Sequence, residues 1–301
     1  MRSIKLRHSE WLLIGFFSYT AALTPFFPDR PRLHAQPLFI LLAAVIILVI
    51  AARAEMGRYG RVISMVRDWL PIPLTLTAFR EMELFLPLRY NTAYEHAWIR
   101  WDGLLLNQCG FKHAVEAFGD LIPTYFELCY LLVYGLGTFC IIVLWYKNRR
   151  ERVDQFYVVL LAGTLISYGL LPYFPSRPPR IVFPALAAPL THNIFRRFNL
   201  FLLNNATIHS GVFPSAHVSS AFAAAWAMFL VLPERKPFGW AVLVYAASVA
   251  AATVYGRYHY AVDAVAGFGV SLVPAALALY AARNKSTHDI HSSGSRPDLL
   301  A

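Results

Sequence analysis

Charged residues are scarce in this sequence. Asp, Glu, Lys and Arg make up 15% of the 301 residues, and 57% are hydrophobic, whereas soluble domains carry about 25% charged residues. This composition excludes an ordinary soluble domain and indicates an integral membrane protein. We therefore divide the chain into membrane spans of about 20 residues and expect one membrane domain over residues 1–301.

Cysteine is also scarce. Cys109, Cys129 and Cys140 lack the spacing of metal ligands, and two of them fall in an apparent span, so we interpret them as packing residues. The net charge of +10 does not indicate a nucleic-acid partner. The basic residues form short clusters between apolar runs, where they act as topology signals and contact membrane lipids.

Apolar runs predict an all-α, polytopic membrane helix bundle of about eight transmembrane helices. The runs cover residues 11–27, 37–53, 69–88, 121–146, 155–173, 213–232, 238–256 and 260–282. The first run follows a basic end, but the cleavage-site match near LHAQ is weak, so we expect an uncleaved span rather than a signal peptide. In the third run LPIPLTLTAF is followed at once by Arg80, Glu81 and Glu83. A short, broken or re-entrant segment is therefore the alternative to a complete third span.

Basic clusters fall on alternate connections of this bundle. They contain Arg2, Lys5 and Arg7; Arg53, Arg58, Arg61 and Arg67; Lys147, Arg149, Arg150 and Arg152; Arg235 and Lys236; and Arg283 and Lys285. Because Lys and Arg mark the cytoplasmic side, both termini are predicted to be cytoplasmic. The connections at 89–120, 174–212 and 257–259 then face the periplasm, the exterior or a lumen.

Two polar segments are not predicted to span the membrane. Residues 90–118 mix aromatic and charged side chains and are typical of an interfacial helix, with Trp98 and Trp101 at headgroup level. The polar tail, residues 284–301, is predicted to be disordered.

Three polar islands lie on the outward side: YFPSRPPR at 173–180, FPSAH at 213–217 and GRYHYAVD at 256–263. A helix bundle can bring them into one pocket, since they share one membrane depth. His259 and Asp263 are four residues apart and so share a helix face. The carboxylate can hold one imidazole nitrogen and leave the other as a nucleophile or base. A charge at this depth indicates a functional site.

The FPSAH island has the pattern of a helix start. Pro214 and Ser215 suit the first positions, with the serine as cap, and the free backbone N–H groups of such an end attract anions. His217 in the first turn is placed to give a proton to a leaving oxygen, because imidazole titrates near neutral pH.

Arginines supply the positive charge of the proposed pocket. Arg177 and Arg180 stand among prolines that stiffen the loop, and arginine forks match phosphate oxygens. Arg257 adds a third positive group two residues before His259. An anion pocket with two imidazoles and one carboxylate suits phosphoryl transfer through a phosphohistidine.

At these residues the chain resembles the type 2 phosphatidic acid phosphatase (PAP2) superfamily, whose signature runs Lys-x6-Arg-Pro, Pro-Ser-Gly-His and Ser-Arg-x5-His-x3-Asp. The matching positions are Arg177, Pro178, Pro214, Ser215, His217, His259 and Asp263. The departures are Leu170 for the lysine, Ala216 for the glycine, and Ala252 and Thr253 for Ser-Arg.

These departures look like the inositol phosphorylceramide synthase branch, in which Phe-Pro-Ser-x-His precedes Thr-x-Tyr-x-x-x-His-Tyr-x-x-Asp. Here the two blocks are residues 213–217 and 253–263. The resemblance covers residues 173–268. It implies a six-helix core at 61–283, preceded by two extra N-terminal spans in residues 1–60.

The resemblance also implies roles for individual residues and needs no metal or cofactor. His259 would attack phosphorus, Asp263 would orient its ring, and His217 would protonate the departing alkoxide. The phosphate would be held by Ser215, Arg177 and Arg180. Arg257 or Arg180 is expected to replace the charge of the missing lysine and arginine.

The resulting hypothesis is a membrane enzyme that cleaves a phosphorylated lipid at the outer face. Water as acceptor makes it a phosphatase and a lipid hydroxyl makes it a phosphotransferase. A transferase moving a phosphoinositol-type headgroup to a ceramide-like or diacylglycerol acceptor is the alternative within this class. The sequence does not indicate an oligomeric state.

Other classes fit less well. A metal site of His217, His259 and Asp263 conflicts with the arginines, which suit an anion, and Ser215 lacks the setting of an intramembrane serine protease. A non-enzymatic transporter or scaffold is suggested by Glu81 and Glu83 in a possible broken helix, but the chain has no pseudo-symmetric halves.

Overall fold

The computed structural model describes residues 4–30, 33, 35–87, 90–186, 189, 193–205, 207–208 and 210–293, with side chains as far as residue 281. The described residues form helices and connections without a strand, which confirms the predicted all-α class. The helices are α1 (His8–Leu23), α2 (Gln36–Glu55), α3 (Gly60–Arg67), α4 (Pro71–Glu81), α5 (Ala93–Gly103), α6 (Phe111–Glu116), α7 (Leu121–Leu132), α8 (Leu136–Tyr146), α9 (Val153–Leu170), α10 (Pro179–Val182), α11 (Ile194–Asn205), α12 (Ala216–Val231), α13 (Lys236–Tyr255) and α14 (Ala261–Ser293).

Five helical segments of the described chain are long and apolar enough to cross a membrane. They are Gln36–Glu55, Leu121–Tyr146, Arg150–Tyr173, Pro233–Tyr255 and Ala261–Ala281, and α12 is a shorter apolar helix. This finding agrees with the predicted membrane helix bundle, but the predicted count of eight spans is not confirmed. The third predicted run contains only the 11-residue α4, which continues into a 3-10 turn at Met82–Phe85.

Small residues allow α12 to lie at the centre of the bundle, in contact with α9, α13 and α14. A Cβ on Gly163 of α9 would lie only 2.8 Å from Ala223 Cβ, so glycine is required for this approach. Ser219 Oγ donates to Gly163 O at 2.8 Å in the same contact. Close backbone approach through small residues is the usual way in which membrane helices associate.

Ion pairs join α1, α3 and α9 at one end of the bundle. Arg67, only 4% exposed, donates from Nε to Glu10 Oε1 at 2.8 Å. Asp68 accepts from Arg7 Nη1 at 2.6 Å and from Arg150 Nε at 2.5 Å. Buried carboxylates therefore hold Arg7, Arg67 and Arg150 at this end of the bundle.

Segments outside the predicted spans are also helical. The region 90–118 contains the helices α5 and α6, in agreement with the prediction that this region is helical. The predicted connection 174–212 contains α10 and α11. The last helix, α14, continues to Ser293 and so enters the segment predicted to be disordered, of which residues 294–301 lie outside the described chain.

Candidate active site

The three polar islands meet at one end of the bundle. His217 lies in the first turn of α12, and His259 lies in the connection between α13 and α14. His259 Nε2 is 3.4 Å from His217 Nδ1, and the two ring centroids are 5.6 Å apart. The backbone N–H of Arg180 in the first island donates to Arg257 O in the third at 3.1 Å.

Two backbone contacts fix the starts of α12 and α14 against each other. Ser215 caps α12, with its Oγ accepting from Val218 N at 3.4 Å. Its own N–H donates to Asp263 O at 3.0 Å. A Cβ on Gly267 would lie 2.4 Å from Ser215 O, so glycine is needed where the helices meet. Ser215 is fully buried, and its hydroxyl serves as a helix cap.

The His259 ring is oriented by two acceptors on one edge. Its Nδ1 lies 2.9 Å from Val212 O and 3.3 Å from Asp263 Oδ2. The Asp263 carboxylate also accepts from the backbone N–H of Tyr260 at 2.9 Å. Because both neighbours of Nδ1 are acceptors, Nδ1 carries the proton, and the lone pair is left on Nε2, which faces His217.

Burial keeps His259 neutral. It lies outside the membrane-spanning segments and is 6% exposed. Burial lowers the pKa of His259 to about 3; the hydrogen bond to Val212 O opposes this effect, and the nearby Arg180 charge adds to it. The ring is therefore uncharged at neutral pH, with its Nε2 lone pair available.

Arg180 and Arg177 have aromatic rings beside them. The Arg180 guanidinium lies 5.9 Å from the centroid of the Tyr258 ring, and burial lowers its pKa. The Arg177 guanidinium lies 4.8 Å from the centroid of Tyr90, and its buried Nε has no hydrogen-bond partner within the described chain. The Arg177 backbone N–H donates to Glu95 Oε1 at 2.9 Å. Of these cations, Arg180 acts electrostatically on His259.

Arg257 is engaged in a buried ion pair. It is 2% exposed, and its Nη1 donates to Asp102 Oδ2 at 2.6 Å. Asp102 Oδ1 in turn accepts from the backbone N–H of Ala261 at 2.8 Å. Burial raises the pKa of Asp102 even with Arg257 beside it. The pair fastens α5 to the start of α14, whereas a phosphate contact of Arg257 stays a prediction.

Tyrosines that the sequence reading did not single out form an aromatic wall beside the histidines. Tyr258 stacks on Tyr130, with ring centroids 4.0 Å apart and an interplanar angle of 23°. Tyr130 and Tyr134 lie 5.1 and 5.3 Å from His217 between ring centroids. The wall restricts the directions in which the His217 ring can turn.

A buried carboxylate behind this wall was also missed. Glu127 is 1% exposed and accepts from Tyr258 Oη at 2.6 Å, Arg196 Nη1 at 2.7 Å and Asn199 Nδ2 at 2.8 Å. The Arg196 guanidinium lies 5.8 Å from the centroid of Tyr258, the same ring that Arg180 approaches. An acidic residue inside the apolar run 121–146 was the signal that could have revealed the cluster, because intramembrane charges are rare and functional.

The geometry does not favour the metal alternative. Asp263 contacts Nδ1 of His259, whereas His217 lies beside Nε2, so the carboxylate and His217 lie on different edges of one ring. Within the described part of the chain, His, Cys, Asp and Glu do not form a group of three that could hold a metal ion.

The chain is similar to known proteins. A PA-phosphatase related-family protein of Dictyostelium discoideum is 27% identical over 177 residues, which cover 51% of this chain and 31% of that protein. The match thus spans about a third of the relative's length. The crystal structure of Aquifex aeolicus LpxE aligns with a TM-score of 0.44 and 20% identity, over 58% of this chain and 95% of that chain.

The family assignment rests on more than half of the chain. Residues 105–277 match the PAP2 superfamily, and this range contains all the predicted site residues. The match confirms the predicted superfamily. The inositol phosphorylceramide synthase-like branch stays a prediction. The chain belongs to the PAP2 superfamily.

Proposed function

We propose that the protein cleaves a phosphorylated lipid through a covalent phosphohistidine on His259. The proposal rests on the geometry of the pair formed by His217 and His259. His259 Nδ1 is held by Val212 O and Asp263, while Nε2 lies 3.4 Å from His217 Nδ1. One ring is thus oriented as a nucleophile, and the other lies where a leaving group can receive a proton.

In the first step the lone pair of His259 Nε2 attacks phosphorus, and the bond between phosphorus and the lipid oxygen breaks. His217 gives its proton to the departing alkoxide. The negative charge of the bound phosphate favours the protonated form of His217 before this step. Asp263 stabilises the positive charge that develops on His259.

In the second step an acceptor hydroxyl attacks the phosphohistidine. His217 takes the proton of this hydroxyl, and the bond between phosphorus and His259 Nε2 breaks, which restores both histidines. With water the product is inorganic phosphate, and with a lipid alcohol it is a new phosphoester.

The phosphate oxygens would be held by Arg180, Arg177 and the N-terminus of α12. Arg180 is the cation that acts on His259, and Arg177 has a buried Nε without a partner in the described chain. The free N–H groups of the first turn of α12 add donors of the kind that bind anions. Ser215 contributes by capping this turn.

The site would face the periplasm, the exterior or a lumen, with both termini in the cytoplasm. His217 begins α12, and the other end of this helix lies beside Arg152, whose Nη1 donates to Val231 O at 2.6 Å. The site and the basic end are thus separated by the length of α12. Since basic ends mark the cytoplasm, the site belongs on the other side.

The proposal is tested with purified protein and a ³²P-labelled lipid phosphate. We expect a phosphoenzyme that is stable in base and labile in acid, and its absence in His259→Ala. His8→Ala, which removes a histidine 89% exposed in its side chain at the basic end, serves as the control. Turnover should be inhibited by vanadate and not by EDTA. Full activity of His259→Ala would overturn the proposal.

The acceptor is determined in the same assay. Phosphate release without an added alcohol indicates a phosphatase. An inositol phospholipid supplied together with ceramide or diacylglycerol tests the headgroup transferase. His259 would displace the lipid alcohol of the donor, and the phosphoinositol group would pass to the acceptor alcohol instead of to water, which would release inositol phosphate.

A further inference from the structure

A cavity of about 580 Å³ lies beside the histidines, within the membrane-spanning part of the bundle. Its walls come from α4, α8, α9, α12 and the turn between α7 and α8. The volume is in the range of sites that hold small organic ligands, about 300–1,000 Å³. His217, which lies 3.4 Å from His259, is also part of its lining.

Two threonine hydroxyls of the wall are satisfied within their own helices. Thr164 Oγ1 donates to Leu160 O at 2.8 Å, and Thr75 Oγ1 donates to Pro71 O at 2.6 Å. These hydroxyls do not need a partner in the cavity. An apolar occupant therefore leaves these two hydroxyls satisfied. The lining also contains Arg80 and the buried Oη of Tyr157, which has no hydrogen-bond partner within the described chain.

The depth of the cavity matches one leaflet of a bilayer. Along α9 the lining extends from Tyr168 to Tyr157, which is eleven residues or about 16 Å at 1.5 Å per residue. The hydrocarbon core is about 30 Å thick. A chain that starts at the depth of His217 and follows α9 would thus cover about half of the core.

The cavity also has a side entrance. Leu76 of α4 and Tyr134 in the turn between α7 and α8 line it, and they are 59% and 49% exposed. The 3-10 turn at Val133–Gly135 interrupts the apolar segment Leu121–Tyr146 at this point. A lipid can therefore enter sideways from the bilayer.

We propose that this cavity holds the hydrocarbon chain of the phosphorylated lipid that the enzyme cleaves, and that its inner end sets the preferred chain length. The inference rests on the proposed function, in which His217 protonates the lipid alkoxide. The chain is attached to that leaving oxygen, so it must continue on the side of His217, where the cavity begins. Tyr157 and Ile72 lie at the inner end of the lining.

The test measures the rate of phosphoenzyme formation with lipid phosphates of increasing chain length and with a short, water-soluble phosphate ester. Leu160→Trp fills the cavity opposite Gly137, whose added Cβ would lie 3.4 Å from Leu160 Cδ2. We expect the preference for long over short substrates to fall at least tenfold. The matched control is Ile166→Trp, on the same helix but outside the lining and 38% exposed, and it should leave the ratio within twofold.

A second variant enlarges the cavity. Ile72→Ala removes bulk at the inner end and should move the preference towards longer chains. An unchanged ratio in both variants, or an equal loss for long and short substrates in Leu160→Trp, would overturn the chain site. If the variants act only on the transfer of phosphate to a lipid alcohol, the cavity holds the acceptor and the proposal is wrong.

Failure of the proposed function is recognised separately. An alkyl phosphonate with a photoreactive diazirine at its chain end needs no turnover to label the protein. We expect it to label α4 and α9 near Ile72 and Tyr157, in the wild type and in His259→Ala. Labelling that persists while His259→Ala remains fully active would refute the phosphohistidine and keep the chain site, whereas labelling distributed over the lipid-facing surface would refute the chain site.

Discussion

Glu127 of α7 connects α11 to the segment between α13 and α14 that contains His259. It accepts from Tyr258, one residue before His259, and from Arg196 and Asn199 of α11. An unpaired carboxylate in an apolar segment is unfavourable by several kcal/mol. The three donors explain how Glu127 is accommodated there, and in return it fixes Tyr258 and Arg196 near His259.

Arg196 is expected to supply part of the positive charge that the missing motif lysine and arginine would give. Arg196→Ala removes a guanidinium near Tyr258 and leaves Glu127 with fewer donors, so kcat/KM should fall about tenfold to a hundredfold, or about 1.5–3 kcal/mol. Arg197→Ala is the matched control, since Arg197 is the next residue and is exposed. Equal kinetics of the two variants would assign Arg196 no part in the site.

The protonation state of His259 gives a second prediction at this scale. Its pKa is lowered to about 3 by burial, below the value of about 6.5 for a free imidazole. As the pH falls, protonation should therefore begin far below 6.5. In NMR spectra of ¹³C-labelled histidines without substrate, the His259 signal, assigned by its loss in His259→Asn, should stay constant from about pH 7.5 to 5. A titration centred near 6.5 would contradict the buried neutral ring.

The sequence identified the residues whose spacing is local and missed those that depend on packing. His259 and Asp263 could be paired because they are four residues apart, although His259 lies just before α14 and not within that helix. A proline and a serine marked the start of the helix that carries His217. Glu127 and Arg196 are 69 residues apart in sequence. The local sequence around either residue does not indicate that the two residues pair.

The helices were predictable from hydropathy, whereas the way in which they end and pack was not. High mean hydropathy over a long run identifies α2, α9, α13 and α14, because a membrane span needs about 20 apolar residues. The amphipathic α11 lies within the predicted connection 174–212, since its sequence IFRRFNLFLLNN is only 12 residues long and contains two arginines. The 3-10 turn between α7 and α8 lies inside one continuous apolar run, where composition gives no sign of a break.

The contact between α9 and α12 gives a prediction at the scale of elements. Gly163→Ala places a Cβ 2.8 Å from Ala223 Cβ, so the helices must move apart, and we expect a loss of about 1–3 kcal/mol of stability. Gly269→Ala is the control, because a Cβ there meets nothing within 4 Å and alanine favours helix. Thermal unfolding in detergent should show a lower midpoint for Gly163→Ala and an unchanged or higher one for Gly269→Ala.

At the scale of the whole molecule, the two ends of the bundle have different chemistry. The basic end contains Arg149, whose Nε donates to Glu234 Oε1 at 2.7 Å, and the buried ion pairs of Arg67. The other end contains the neutral His259, the aromatic wall and the buried pair of Arg257 with Asp102. This separation is consistent with the proposed orientation, in which the basic end follows the positive-inside rule and the other end would bind the phosphorylated lipid.

The proposed orientation can be tested with a cysteine that the chain already has. Cys109 is exposed and follows α5, the helix that Asp102 fastens to the site, whereas Cys129 and Cys140 are buried. A membrane-impermeant maleimide applied to intact cells, or to sealed vesicles with the site facing outward, should therefore label Cys109.

In a Cys109→Ser background, Glu151→Cys places a thiol at a position 64% exposed at the basic end, and it should react only after permeabilisation. Because the proposed orientation places the site and the basic end at opposite ends of α12, we expect the two labels on opposite sides of the membrane. Labelling of Glu151→Cys in intact cells together with protection of Cys109 would reverse the orientation and place the phosphate site in the cytoplasm.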